Sequence, residues 1–208
     1  MRFTLSSTAL SSKLFALAKV ISNKNSLPIL ADFMFRTEGN TLFITASDSE
    51  NSMTTTIELS DSDIDDSFAI ENHSLLEAVK SFPEQPLTFE ADKNDKIVKI
   101  IYQNGQFSLP IESADVYPVA AKIADIAVSI QLSSALLSEN ISRCLCATAQ
   151  DELRPVMNGV FFDITPEYLT IVSTDGHKLV RNRIYDIKND VAASLILAKK
   201  PATILKNM

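Results

Sequence analysis

Two observations predict an α+β protein made of repeated strand–helix–three-strand units, with the helices segregated to one sheet face. First, residues 1–81 and 128–208 match one another at a single offset of 127 positions, with no gap. Leu5-Ser6-Ser7-Thr8-Ala9-Leu10 lines up with Leu132-Ser133-Ser134-Ala135-Leu136-Leu137, Pro28-Ile29-Leu30 with Pro155-Val156-Met157, and Asp48 with Asp175. A self-match at one fixed offset marks a supersecondary unit built twice. Second, within each copy short β-rich runs alternate with stretches of helical period, the order that layers helices on antiparallel sheets. Met208 corresponds to Ser81, so the second copy reads as truncated, without a counterpart of residues 82–110.

The elements follow in chain order. Arg2–Leu5 is a short strand, and Ser6 or Ser7 is placed to cap a helix. Leu10, Leu14, Leu17 and Ile21 then recur as one apolar helical stripe, with Lys19 on the other side. Asn23–Pro28 connects to three β-rich runs, Ile29–Arg36, Thr41–Ala46 and Met53–Leu59, with a turn at Glu38-Gly39-Asn40. The pattern then restarts: a strand at Phe68–Ile70, a short helix marked by Leu75, Val79 and Phe82, and strands at Leu87–Ala91, Ile97–Tyr102 and Gln106–Leu109.

Copy two repeats the order after a linker. Val128–Leu132 reads as a strand, and Leu137, Ile141, Cys144 and Thr148 as one side of a helix, with Leu145 widening the stripe. Strands are expected at Met157–Ile164, Tyr168–Ser173, Leu179–Tyr185 and Ala193–Leu197, and Lys199-Lys200-Pro201 opens a last helix. The expected division is a first domain over 1–110, a linker over 111–127 holding Pro118, and an incomplete second domain over 128–208.

The chain has 208 residues, 46% hydrophobic and 22% charged, which suits two domains with cores of their own. Four glycines are too few for glycine-rich phosphate loops. No apolar run approaches the roughly 20 residues of a membrane span, so no membrane partner is expected, and the cysteine usage suits a reducing cytoplasm. Cys144 and Cys146 read as helix filler: such close neighbours rarely form a disulfide, and two thiols fall short of a structural zinc site. Neither a metal nor a cofactor is expected.

The net charge of −7 argues at first against a nucleic-acid partner, but its distribution weakens that argument. From His177 onward seven Lys/Arg face two Asp, giving +5, so residues 1–176 carry −12. Acid is concentrated in the run from Glu58 to Asp66, which reads as a solvated loop.

Thr174-Asp175-Gly176-His177 first suggests a hydrolytic Asp–His pair. Such chemistry needs a nucleophile, a base and a charge stabiliser to converge. Only His73 and His177 are present, and no Gly-x-Ser-x-Gly turn or His/Cys cluster accompanies them. A tight strand-to-strand turn is the simpler reading, with Gly176 taking an unusual backbone dihedral and Asp175 bonding nearby amides. The equivalent Asp48 has no Gly-His behind it, which favours a structural aspartate. No catalytic residue is assigned.

Several segments together resemble the bacterial β sliding clamps, processivity subunits of replicative DNA polymerase III. They are Phe3-Thr4, Ser26-Leu27-Pro28-Ile29-Leu30, Thr45-Ala46-Ser47-Asp48, Phe107-Ser108-Leu109, Arg154-Pro155-Val156-Met157-Asn158-Gly159-Val160 and Thr174-Asp175-Gly176-His177-Lys178-Leu179, in the family's order. The resemblance implies a DNA-clamp fold in which two subunits, each of three like domains, close into a homodimeric ring around duplex DNA. It further implies a non-enzymatic protein that tethers polymerase to DNA, with clamp-loader subunits and polymerases bound through linear motifs. A ring that slides wants sparse Lys/Arg and few base contacts, and acidic outer sheets lie beyond a Debye length of ~8 Å from its hole.

Carried over residue by residue, the resemblance assigns Lys24, His73, Lys199 and Lys200 to DNA. It assigns Met157, Thr174, Gly176, His177, Lys178 and Leu179 to a pocket for partner peptides. Lys178 stands where arginine is common, keeping charge but losing bidentate geometry. His73, Asp151 and Pro155 depart from the basic, polar or aromatic DNA contacts of family members. Two other readings stand beside this one: a hydrolase using Asp175 and His177, or an adaptor with a clamp fold that does not encircle DNA.

Overall fold

Phe3 and Leu5 alternate with Arg2 and Thr4, and this two-residue period forms β1 (Arg2–Ser6) with its apolar face buried. Ser6 ends the strand and caps α1 (Ser7–Leu17) by accepting the Ala9 amide at 3.5 Å. The computed structural model describes residues 1–22, 27–118, 127–150 and 153–207, in two units, Met1–Ala121 and Lys122–Met208.

The first unit continues through β2 (Asp32–Glu38), β3 (Thr41–Ser47), β4 (Ser52–Glu58), β5 (Asp61–Ser62), β6 (Ser67–Glu71), α2 (Asn72–Lys80), β7 (Pro86–Asp92), β8 (Ile97–Tyr102) and β9 (Gly105–Ser113). These strands pair antiparallel in one nine-stranded sheet, β4-β3-β2-β6-β9-β8-β7-β1-β5. The expected doubling is visible in that order. Each three-strand meander, β2–β4 or β7–β9, takes its fourth strand from the other half: β6 joins β2, and β1 joins β7. Phe35 stacks on Phe68 and Phe89, and Phe89 on Phe3, so one aromatic row crosses from one half to the other.

The second unit holds α3 (Ser134–Leu145), β10 (Gly159–Ile164), β11 (Leu169–Thr174), β12 (Leu179–Ile184), β13 (Ala193–Ala198) and α4 (Lys199–Lys206). Its sheet order, β12-β11-β10-β13, repeats β4-β3-β2-β6. The register repeats too. Met34 pairs with Thr45 and Asp32 with Glu71, while Phe161 pairs with Val172 and Gly159 with Ala198, the same pairs moved by 127. Val160, Phe162 and Ile164 on β10 meet Ile141 and Cys144 of α3 and Ala202 of α4, which puts both helices on one sheet face.

Several expectations need correction. Ile29 does not begin a strand: Pro28, with its fixed φ and no N–H, opens a 3₁₀ turn over Pro28–Ala31, and β2 begins at Asp32. Pro155–Met157 does the same before β10, so Met157 is not in the strand. Ile21 lies beyond α1, and Val20 is buried after the helix ends. Phe82 and Thr148 likewise fall just past α2 and α3. Val128–Leu132 is not a strand, although Ile130 and Leu132 still pack on the core. In the first unit the equivalent β1 is held by β7, a partner distant in sequence, so local alternation alone does not make such a stretch a strand. Finally, β9 does not stop at Leu109. It runs through Pro110 to Ser113, and Ile111 pairs with Ile70, so residues 111–113 belong to the first sheet rather than to a linker.

Candidate functional site

The turn between β11 and β12 is built by its own polar side chains. Asp175 Oδ1 accepts the backbone N–H groups of His177 at 2.9 Å and Lys178 at 2.8 Å. Thr174 Oγ1 donates to the Lys178 carbonyl at 2.7 Å and accepts the Gly176 N–H at 3.1 Å. Gly176 has φ +89°, a left-handed conformation that glycine reaches without steric cost. The N–H groups of Lys178 and His177 hold the Asp175 carboxyl down to about 2. Lys178 Nζ lies 3.4 Å from Asp175 Oδ2 and donates to the Cys146 carbonyl at 3.0 Å, fixing its charge beside the turn.

This arrangement removes the hydrolytic pair. The Asp175 carboxylate is occupied by backbone amides and the Lys178 ammonium rather than by the His177 ring. Asp48 does the same work in the first unit, accepting the amides of Glu50 at 3.1 Å and Asn51 at 2.7 Å. Among the described residues no group of His, Cys, Asp and Glu is placed to hold a metal ion.

The structure brings the expected pocket residues to one end of the second sheet. β11 finishes at Thr174, β12 starts at Leu179 opposite it, and antiparallel β10 starts at that same end, just after the 3₁₀ turn carrying Met157. Met157 is half-buried, with its N–H donating to the Arg154 carbonyl at 2.9 Å. Leu179 and Val156 are 66% and 67% exposed, so this end presents apolar surface beside a polar turn. Sequence reasoning missed Arg154 as a member. Its Nη1 would lie 3.8 Å from a Cβ on Gly176, so guanidinium and turn are neighbours. The only available signal was its place at the head of the Arg154-Pro155-Val156-Met157 segment.

The residues assigned to DNA share a structural logic. Lys24 lies outside the described residues, as does its repeat counterpart Asp151. His73 is the second residue of α2 and Lys200 the second residue of α4, equivalent positions at the offset of 127. Their helix ends differ. Glu71 caps α2, accepting the amides of His73 at 2.9 Å and Ser74 at 2.6 Å. Ala198 gives α4 no side-chain cap, and Lys199 and Lys200 stand in its first turn.

Repeated units with strand exchange, and helices on one face of each sheet, define the sliding-clamp fold. The structure superposes on the DNA polymerase III subunit beta from Pseudomonas aeruginosa with a TM-score of 0.91 at 22% identity, covering all of this chain and 56% of that one. The chain belongs to the DNA polymerase III beta subunit family: residues 1–121 match the model of its N-terminal domain and residues 131–208 that of its central domain. It is 29% identical over 181 residues to the beta sliding clamp of Halalkalibacterium halodurans, covering 83% of this chain and 47% of that protein. A Helicobacter pylori beta clamp bound to a DNA ligase peptide matches with a TM-score of 0.88 at 21% identity, covering all of this chain and 59% of that one. The chain thus spans about half the length of the curated relatives it matches. The hydrolase and adaptor readings gain no support from these matches.

Proposed function

We propose that this chain is part of a bacterial sliding clamp, a non-catalytic processivity factor that holds a replicative polymerase on duplex DNA. The observation that carries this reading is the match of both units, in order, to consecutive domains of one clamp family. In the complete protein, two subunits close a homodimeric ring, and Lys24, His73, Lys199 and Lys200 attract phosphates without reading bases. Sparse cations suit that task, because a ring retains DNA topologically and needs little intrinsic affinity. No helix among the described residues is long and apolar enough to cross a membrane, which is compatible with work in the cytoplasm at the nucleoid.

Partner proteins dock through linear motifs at the turn end of the second sheet. Met157 and Leu179 offer apolar anchoring surface, while Thr174, Gly176, His177 and Lys178 make its rim. The relative from Helicobacter pylori holds a DNA ligase peptide, which favours the same class of ligand here. Calorimetric titration of a Leu/Phe-anchored peptide tests the assignment. Leu179→Ala and Met157→Ala are each expected to weaken binding by roughly 1–3 kcal/mol, the range of a buried anchor contact. His177→Ala is expected to weaken it less. Equal affinities for wild type and all three folded variants would remove the pocket from this end of the sheet.

A further inference from the structure

A cavity of about 460 Å³ opens on the first unit and is lined by Leu27, Pro28, Ile29, Asp32, Glu112 and Val116. Nothing in the clamp reading uses it. Four of its six lining residues are apolar, and two are carboxylates.

The carboxylate of Asp32 is the unusual group. The residue is only 9% exposed, and among the described residues its side chain receives no hydrogen bond; the Tyr117 hydroxyl donates to its backbone carbonyl instead, at 3.4 Å. The carboxylate oxygens are not sealed away; they open into the cavity, where a cationic or donating group that entered would meet them. The neighbours of Asp32 are acidic. Asp32 pairs directly with Glu71 on β6, and Glu112 sits opposite Ala69 on β9, so all three acids project from one sheet face. Burial and then Glu71 and Glu112 push the Asp32 carboxyl up to about 6. Of the two other acids, Glu112 lies 3.6 Å from Lys96 Nζ, and Glu71 accepts the backbone amides of His73 and Ser74.

The repeat differs at this position. Asp32 corresponds to Gly159, where a Cβ would come within 2.7 Å of Ile196 Cγ2 and of the Leu197 carbonyl. Ile196 in turn corresponds to Ala69. The second unit therefore has no room for a side chain there, whereas the first carries a carboxylate.

We infer that this cavity is a socket for an arginine side chain of a partner polypeptide. The aliphatic stem would lie along Leu27, Pro28 and Val116, and the guanidinium would donate to Asp32 and reach Glu112 at the rim. A guanidinium fits better than a point cation because its planar fork can serve two carboxylates at once.

The test uses n-butylguanidinium as the probe and neutral n-butylurea as its isostere, followed by amide NMR shifts on the whole chain. The guanidinium is expected to shift the amides of Leu27, Ile29, Asp32 and Val116 saturably, at least tenfold more tightly than the urea. Asp32→Asn is expected to lower that affinity at least tenfold, and wild-type affinity to fall about tenfold from pH 7.5 to pH 5, as a group titrating at about 6 takes up its proton. The pH arm needs no variant, so it decides the matter even if the asparagine protein folds poorly. Equal binding of urea and guanidinium, or guanidinium binding that ignores both Asp32 and pH, would overturn the socket, as would no binding to the wild type at pH 7.5.

Discussion

Residues 32–80 and 159–206 are the same backbone carrying different polar residues. Strand order, pairing register, the 3₁₀ turn before the first strand and the turn between second and third strands all recur at an offset of 127. What the two share is mostly apolar: Phe35 and Phe162, or Ile44 and Ile171, are buried in each. Three of the differences stand at the ends of strands and helices, at positions 32 and 159, 49 and 176, and 71 and 198. The comparison teaches that the scaffold is fixed by its buried faces, and that its edges were free to diverge toward separate tasks.

The sharpest break of this comparison is at the first pair. Because the folded-state pKa of Asp32 is raised from 3.8 to about 6, the folded protein keeps a proton that the unfolded chain releases. Its contribution is therefore favourable below about pH 4 and is lost as pH rises through about 6, by up to about 3 kcal/mol for a shift of this size. Asp175 has the opposite sign, its stabilisation present above 3.8 and lost as pH falls toward about 2, so the two windows separate. Chemical denaturation across pH 4 to 7.5 is expected to show the first slope in wild type and its loss in Asp32→Asn. At the equivalent site, Gly159→Val is expected to cost about 2–3 kcal/mol through overpacking against Ile196 and the Leu197 carbonyl, with little pH dependence. A pH-flat wild type would show that Asp32 is better satisfied than its surroundings suggest.

The second pair tests the turns. Ser49 has φ +78° and Gly176 has φ +89°, so one left-handed site is filled by serine and the other by glycine. Left-handed backbone costs a side-chain residue roughly 1–2 kcal/mol, offset by the extra entropy that glycine loses on folding. Ser49→Gly is expected to stabilise the first unit by about 0.5–1 kcal/mol, and Gly176→Ser to destabilise the second by a similar amount. Thermal unfolding of both variants against wild type measures the pair. Shifts of the same sign would mean that the side chains, not the backbone, govern these turns.

The sequence made the repeat legible because buried apolar spacing survives divergence, and the turn at Asp175 because aspartate before glycine bonds its own backbone. It also placed the cap of the first helix on Ser6 or Ser7, and the Ser6 hydroxyl accepts the Ala9 amide. It failed where the answer depends on distant partners. Val128–Leu132 has the pattern of a strand, but a strand needs β7, and pattern alone does not say which residues will pair. The pattern ends the strand at Leu109, before Pro110, yet β9 runs on to Ser113, because it passes there from one half of the sheet to the other and pairs with β6 only from Ile111 onward. The cavity at Asp32 was invisible for the same reason: Leu27, Pro28, Ile29 and Asp32 wall it on one side and Glu112 and Val116 on the other, and only the fold brings them together.

The smallest expected effect concerns the third pair, and it joins stability to proposed function. Glu71 satisfies two amides at the start of α2, whereas α4 begins at Ala198 with Lys199 and Lys200 in its first turn, where the helix dipole disfavours cations. Moving the first unit's solution into the second, Ala198→Glu, is expected to stabilise α4 by about 0.5–1 kcal/mol, the usual size of a cap. If Lys199 and Lys200 are left uncapped because they serve phosphates, the same change is expected to weaken duplex binding. Lys200→Glu is expected to lower the salt slope of that binding by about one unit per lost contact while leaving peptide affinity unchanged. Fluorescence anisotropy of duplex DNA over a salt series reads both variants in the complete clamp. A stabilised helix with an unaltered DNA slope would mean that these lysines are surface residues, and that the missing cap reflects drift rather than function.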